Sequence, residues 1–531
     1  MAAATDHSDA TRAALDTMAA GGNAIDGAIA AALALGVVSP VASGIGGGGF
    51  ALVYVAKEHK VIALDFRESA PANLDAEALG ARDWTKEDVS KRGVSVGVPG
   101  EPAGLEWLAQ HYGKRPLADD VGPAVMLAEH GFYYGRNMAQ WTLIMKDRLT
   151  VAPELASSFL PGGAPIGYGV VTRRPDLART LQRFGREGAK PFYTGDLAQK
   201  ITLAVKSVGG TLAAADLAAY RVKERAPLMR TVDGRAIYTM PAPSAGGLMM
   251  LEAAEIFGAS SASPLFAMGF GSSAYLHALA EGMRGAVADR ARFASDPDIE
   301  PNTVAAYDEA LLPAQMAARK ARIEPHKTHK SPEFLTREKG TTHVIVADSE
   351  GNVVSLTTTV NAPFGARIVA GDTGILLNDE LDDFTHASDI AGFGVVGLGP
   401  NRPRPGARPV SSMSPTLVLE NGEPILAVGG SGGERIATAV TQATLARLVF
   451  NLDPSACVSA PRIHVGTSSE LTFESDISED VRAGLKARGE QLKESRFGNP
   501  AVQMIAWEHA GGVRRVLAAA DPRKLGFAAA Q

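Results

Sequence analysis

Hydrophobic and polar positions alternate most clearly late in the chain. THVIVAD (342–348) and VVSLTTTV (353–360) each read as a strand, and the DSEGN stretch between them is an Asp/Gly/Asn turn. If that turn centres on Glu350, antiparallel partners have residue numbers summing to 700, which sets Thr359 opposite Thr341. Near the start the period changes. Residues 9–50 predict two helices broken at Gly21-Gly22 and then a Gly-rich turn; Ile25, Ile29 and Leu33 recur at i+4 within AIDGAIAAALALGVV (24–38). That run is too short to span a bilayer and carries Asp26, so it reads as a buried helix. VIALDFRE (61–68) predicts a strand ending in charge, and residues 100–300 read as mainly helical, punctuated by Pro and Gly. The stretch 313–340 reads as a linker with a flexible tail: seven basic residues stand against three acidic ones, and its second half is poor in apolar residues.

Composition adds bounds. A chain of 531 residues, 46% hydrophobic and 21% charged, is an ordinary globular protein with ample core. A net charge of -6 gives no electrostatic case for nucleic acid or anionic membrane as a partner. The single cysteine, Cys457, excludes an internal disulfide framework and a multi-cysteine metal site. MAAATDHSDATR has neither the basic start nor the apolar stretch of a secretory signal.

The chemistry gathers at the hairpin. Thr341 behind a flexible tail suggests a nucleophilic threonine whose own amine becomes the general base once the chain is cut before it. An α-amine has a reference pKa of about 7.7–8.0, close to working pH. His343 invites an acid–base role, since His is the commonest acid or base. GGSGGERI (429–436) offers Gly432 and Gly433, whose bare backbones let N–H groups approach a developing oxyanion. Neither this run nor GIGGGGF (44–50) has the spacing of a nucleotide-binding loop, and Gly46–Gly49 is read as close packing beside the site.

Many ordered motifs carry a resemblance. TTHVIVADSEGNVVSLTTTVNAPFG (341–365), GILLNDELDDF (374–384), RPVSSMSP (408–415) and GGSGGERI resemble the small subunit of a γ-glutamyltranspeptidase. AGGNAIDGAIAAALALGVVSPVASGIGGGGF (20–50), DFRESAP (65–71), PAPSAGG (241–247) and EGMRGAVADRARFASDPD (281–298) are similar to its large subunit, and ADPR (520–523) fits its C-terminus.

The resemblance implies an N-terminal-nucleophile hydrolase, an α+β protein built as a four-layer αββα sandwich. It implies self-cleavage between Gly340 and Thr341 into a heterodimer of residues 1–340 and 341–531, together forming one domain. Thr341 is then the nucleophile, Thr359 holds its geometry, His343 is a structural part of the strand, and Gly432 and Gly433 form the oxyanion hole. Arg67, Ser411 and Ser412 would take the α-carboxylate of a γ-glutamyl substrate, and Asn361, Glu380 and Asp383 its α-ammonium. Phe393 stands where the family's lid carries an aromatic. The expected reaction moves the γ-glutamyl group of glutathione or a related amide to water, an amino acid or a peptide. No metal or organic cofactor is implied. Other amidases on the same scaffold, of the cephalosporin acylase, oxamate amidohydrolase or poly-γ-glutamate depolymerase type, are the alternative; a silent γ-glutamyl-binding protein is a second. Relatives are usually exported, so the resemblance points to the periplasm or exterior, while the start of the sequence leaves the cytoplasm open.

Overall fold

The computed structural model describes residues 1–80, 89–329, 340–385, 399–466, 470–495 and 498–531. Two antiparallel sheets pack face to face between helical layers. The seven-stranded sheet runs Phe527–Ala530, Ala2–Thr5, Gly340–Ala347, Val353–Asn361, Gly48–Val55, Lys60–Phe66 and Lys223–Arg225. The six-stranded sheet runs Val513–Ala520, Ala501–Ala510, Glu423–Ser431, Thr416–Glu420, Arg235–Thr239 and Leu228–Val232. The expected αββα sandwich is therefore present.

Alternation explains how one strand serves two interfaces. In Gly48–Val55, Phe50, Leu52 and Tyr54 enter the core shared with the second sheet, whereas Ala51, Val53 and Val55 face the core beneath the helices. Gly340–Ala347 divides likewise, with Ile345 and Ala347 between the sheets and Val344 and Val346 on the helical side. Helix Ala24–Val38 has all 15 of its residues buried, and Asn23 and Asp26 close its N-terminus with a reciprocal capping box. Its many alanines let the backbone lie close to the sheet. Among the described residues no helix is long and apolar enough to cross a membrane.

The hairpin register follows the sum of 700 from Val353↔Ala347 to Thr358↔Thr342. Beyond that it slips by one residue, so that Asn361 pairs with Gly340. Thr359 is thus not the ladder partner of Thr341, contrary to the sequence expectation. A bulge intervenes, and Asn361 adopts a left-handed φ of 69° to make it.

Two other expectations change. The linker read over 313–340 begins instead as a helix, Pro313–Arg322, with Met316 buried and Arg319 reaching the carboxylates of Glu252 and Asp289. Basic composition there signals an amphipathic helix, not a free tail. His329 contacts Glu281, and residues 330–339 lie outside the described residues. The helical reading of 100–300 also passed over the strands Leu228–Val232 and Arg235–Thr239. They lie at the rim of the second sheet, where half-exposed positions blunt the hydrophobic signal.

The Gly46–Gly49 run packs against the hairpin and its neighbours. A Cβ at Gly47 would lie 2.0 Å from the Thr359 carbonyl oxygen, and one at Gly49 2.0 Å from that of Thr357. Both glycines are needed for the strands to close. Gly49→Ala is expected to lower stability by about 1–3 kcal/mol, the usual cost of overpacking, read as a reduced melting temperature; wild-type melting would show that the strand gives way freely.

Candidate functional site

The centre of the site is the Gly340–Thr341 peptide. Its carbonyl accepts the Thr359 hydroxyl at 2.6 Å and also the Thr341 hydroxyl. The Thr359 oxygen is oriented in turn by the Asn361 N–H at 2.8 Å. The bulge makes this possible: it turns Thr359 off the ladder and onto the carbonyl one residue before Thr341. A Cβ at position 340 would lie 2.4 Å from the Asn361 carbonyl oxygen, so the residue preceding Thr341 has to be glycine. The Thr341 carbonyl accepts Lys524 Nζ at 2.8 Å.

His343 lies fully buried between the sheets, its Nδ1 2.8 Å from Thr357 Oγ1 and its Nε2 3.2 Å from Ser355 Oγ. Burial pushes its pKa down to about 3, so the ring stays neutral. Gly429 lies against its face, since a Cβ there would fall 2.2 Å from the ring. This is a structural histidine.

A second group surrounds Arg67. The residue follows strand Lys60–Phe66; Phe66 pairs with Gly49, and the adjoining Gly48 pairs with Thr359. Arg67 therefore sits about two strand spacings, roughly 10 Å, from Thr359. Its guanidinium, 1% exposed, forks between Glu380 and Asp383, the latter at 2.6 Å, and donates to the carbonyls of Pro409 and Val410 at 3.2 Å. The last two contacts bring the 409–412 segment alongside. There Ser411 Oγ accepts the Met413 N–H at 3.1 Å and Ser412 Oγ accepts from Arg290.

Asn361 joins the two groups. Its Nδ2 donates to the Asp379 carbonyl at 3.2 Å, one residue before Glu380. Its Oδ1 is buried with no hydrogen-bond partner among the described residues.

Gly432 and Gly433 occupy the turn from strand Glu423–Ser431 into helix Ile436–Phe450, with φ of 134° and 65°. Pro500 packs where a Gly432 Cβ would stand, and Lys524 Nζ bridges Ser431 Oγ and the Thr341 carbonyl, 2.8 Å from each. The glycine turn is thereby tied to the hairpin. Phe393 lies outside the described residues.

Sequence reasoning missed three supports. Asn378 donates to the carbonyls of Gly46 and Gly97 and accepts the Glu380 N–H, which locks the glycine run to the acidic turn. Glu68 and Glu101 are fully buried carboxyls, raised by desolvation to about 8 and about 7. Arg67 opposes the rise at Glu68; the Thr358 hydroxyl, which donates to Glu101, opposes it there. The acidic residue beside Arg67 in DFRE was the available signal for the first. Nothing in the local sequence around Glu101 points to its burial.

The layers and the threonine hairpin define the class: this is the fold of an N-terminal-nucleophile hydrolase. The sequence then narrows it. The γ-glutamyltranspeptidase family profile matches residues 10–531. Glutathione hydrolase 2 of Arabidopsis thaliana is 34% identical over 99% of this chain and 93% of its own length. The glutathione hydrolase proenzyme of Escherichia coli K12 is 33% identical over 97% of this chain and 89% of its own. Among solved structures, the cephalosporin acylase from Bacillus halodurans superposes with a TM-score of 0.85 at 27% identity, covering 100% of this chain and 95% of that one. Helicobacter pylori γ-glutamyltranspeptidase superposes with a TM-score of 0.56 at 33% identity, covering 61% of this chain and 91% of that one. The chain belongs to the γ-glutamyltranspeptidase family.

The buried acids set a pH dependence. A carboxyl whose pKa is higher folded than unfolded holds its proton more tightly in the native state, so stability falls as pH rises through the folded value. For Glu101 that window runs from the ordinary carboxyl value of 4.5 up to about 7. Glu101→Gln keeps an acceptor for Thr358 and removes the titration, so its melting temperature should decline less than wild type between pH 5 and 8. Parallel curves would show that Glu101 does not carry the effect.

Proposed function

We propose that the chain is an autoprocessed γ-glutamyltransferase and glutathione hydrolase working through a Thr341 acyl-enzyme. The observation that carries this reading is the arrangement around Arg67 and Asn361: a buried guanidinium already forked between two carboxylates, and next along the acidic turn an amide oxygen with no partner among the described residues. A γ-glutamyl head group is a zwitterion. Its α-carboxylate would replace Glu380 and Asp383 on Arg67, while its α-ammonium takes the released carboxylates and Asn361 Oδ1. Charge stays balanced through the exchange, which a substrate lacking the amino-acid head would not achieve.

Maturation comes first. The Thr341 hydroxyl attacks the Gly340 carbonyl carbon and an O–C bond forms; the C–N bond breaks as the hydroxyl proton passes to the departing nitrogen, leaving an ester and a free amine. The Thr359 hydroxyl on the Gly340 oxygen stabilises negative charge as it develops there. Water then hydrolyses the ester, freeing the Gly340 carboxylate and the Thr341 hydroxyl.

In turnover the Thr341 amine takes the hydroxyl proton as Oγ1 attacks the γ-carbonyl, then passes it to the departing amine. Gly432 and Gly433 offer backbone N–H groups to the tetrahedral oxygen. Water or an acceptor amine attacks the resulting ester. Hydrolysis and transfer differ only in that nucleophile. Phe393, on the segment corresponding to the lid, is proposed to slow entry of water.

Two experiments test this. Intact-mass analysis should resolve fragments 1–340 and 341–531, with Thr341→Ala remaining one chain; a wild-type chain that stays whole on prolonged incubation at neutral pH would exclude the mechanism. Arg67→Lys keeps a cation among the acids but loses the fork. It should still cleave, yet lose about a hundredfold or more in kcat/KM for γ-glutamyl-4-nitroanilide, a loss of roughly 3 kcal/mol in the bound head group. Near-normal kinetics would move the carboxylate site elsewhere and favour another amide substrate. Arg67→Ala is the poorer test, since it leaves Glu380 and Asp383 buried without their cation and should also depress stability.

A further inference from the structure

The C-terminal ADPR motif has no part in the chemistry above, yet it is built with care. Asp521 Oδ2 accepts Arg462 at 2.7 Å and the Val502 N–H at 2.9 Å, while its Oδ1 accepts the Arg523 N–H at 2.9 Å. These bonds cap the short turn Pro522–Lys524 and fix the point from which Lys524 extends. The Lys524 ammonium then donates to the Thr341 carbonyl and to Ser431 Oγ, 2.8 Å from each, with Asp6 Oδ2 3.5 Å behind it. Asp6 is held by Ser431 and by Gln503 at 2.6 Å each. The cation thus stands at the nucleophile's own backbone, and Asp6, whose carboxyl burial pushes up against the pull of Lys524, shares Ser431 with it.

We propose that Lys524 is a positioning residue: it fixes the Thr341 backbone against the Ser431–Gly433 turn, and its charge, with Asp6 behind, favours the neutral, proton-accepting form of the Thr341 amine. A positive charge within a few ångströms of an amine disfavours its protonated state, and a nearby carboxylate does the reverse. Other ionisable groups lie on the neighbouring segments. Glu101 stands behind Thr358 on the neighbouring strand, His343 lies two residues along and is neutral, and Glu434 and Arg435 follow the glycine turn. Among the described residues, Lys524 is the charged group hydrogen-bonded to Thr341.

The inference rests on Thr341 being the nucleophile and its amine the base, and the experiment separates the two claims. Lys524→Met, Lys524→Arg and Asp6→Asn are made in the full chain and followed by self-cleavage, melting temperature and the pH profile of kcat/KM with γ-glutamyl-4-nitroanilide. Lys524→Met should raise the acid limb by about one pH unit and lower kcat roughly tenfold, with KM little changed. Lys524→Arg should restore both. Asp6→Asn, by leaving the cation less neutralised, should move the limb down or leave it in place. An unmoved limb in Lys524→Met, or a rise in both variants, overturns the proposal. If Lys524→Met melts like wild type but stays uncleaved, cleavage restored in Lys524→Arg supports it, and cleavage still absent there overturns it. Cleavage that persists in Thr341→Ala would instead overturn the reading beneath it.

Discussion

A one-residue slip in a β-ladder governs the site. Had the register of the hairpin continued past Thr358, Thr359 would have spent its position on an ordinary cross-strand pair with Thr341. The bulge instead carries its hydroxyl to the carbonyl of the preceding peptide, and the left-handed backbone of Asn361 brings an amide N–H onto that same hydroxyl. Several neighbours follow from this geometry. Position 340 has no room for a side chain because the displaced Asn361 carbonyl lies against it. Asn361 is also directed toward the acidic turn that meets Arg67. One local irregularity thus connects the Gly340–Thr341 peptide with the buried ion pairs around Arg67.

In the proposed function, recognition would depend on ion pairs that exist before any ligand arrives. Burying a guanidinium with two carboxylates is seldom a gain in stability, because desolvation roughly offsets the attraction. Its value lies in what it prepares. Arg67, Glu380 and Asp383 are already dehydrated and aligned, so the proposed zwitterionic head group would exchange partners with them and need not first strip their water. Burial pushes the Glu68 carboxyl up to about 8 while Arg67 pulls it down.

Much of this was legible in the sequence. Strict alternation on both arms and an Asp/Gly/Asn turn specify the hairpin, and the i+4 spacing of Ile25, Ile29 and Leu33 specifies the helix beneath it. The bulge was not legible, because Thr-Thr-Val-Asn carries no glycine to mark it, and the strain at Asn361 is visible only in φ. The helix at Pro313–Arg322 was hidden by its charge: a single apolar contact through Met316 and two ion pairs from Arg319 hold it, a weak periodic signal. Lys524 and Asp6 lie 518 residues apart and meet through sheet topology, which no local pattern encodes. Glu68 and Glu101 share that difficulty, since burial of a carboxyl is a property of its surroundings.

Strand order gives the cut an outcome of its own. In the first sheet Ala2–Thr5 is hydrogen-bonded on one side to Phe527–Ala530 and on the other to Gly340–Ala347, while Val353–Asn361 pairs onward with Gly48–Val55. The strands before residue 341 and those after it are therefore interleaved like fingers of two hands. Breaking the 340–341 bond would create two ends without opening any face between the halves. To part, the fragments would have to unzip several ladders of the same sheet together. Two chains cut at that bond would be held together by the hydrogen bonds that folded them as one, with no separate assembly step to regulate or to fail.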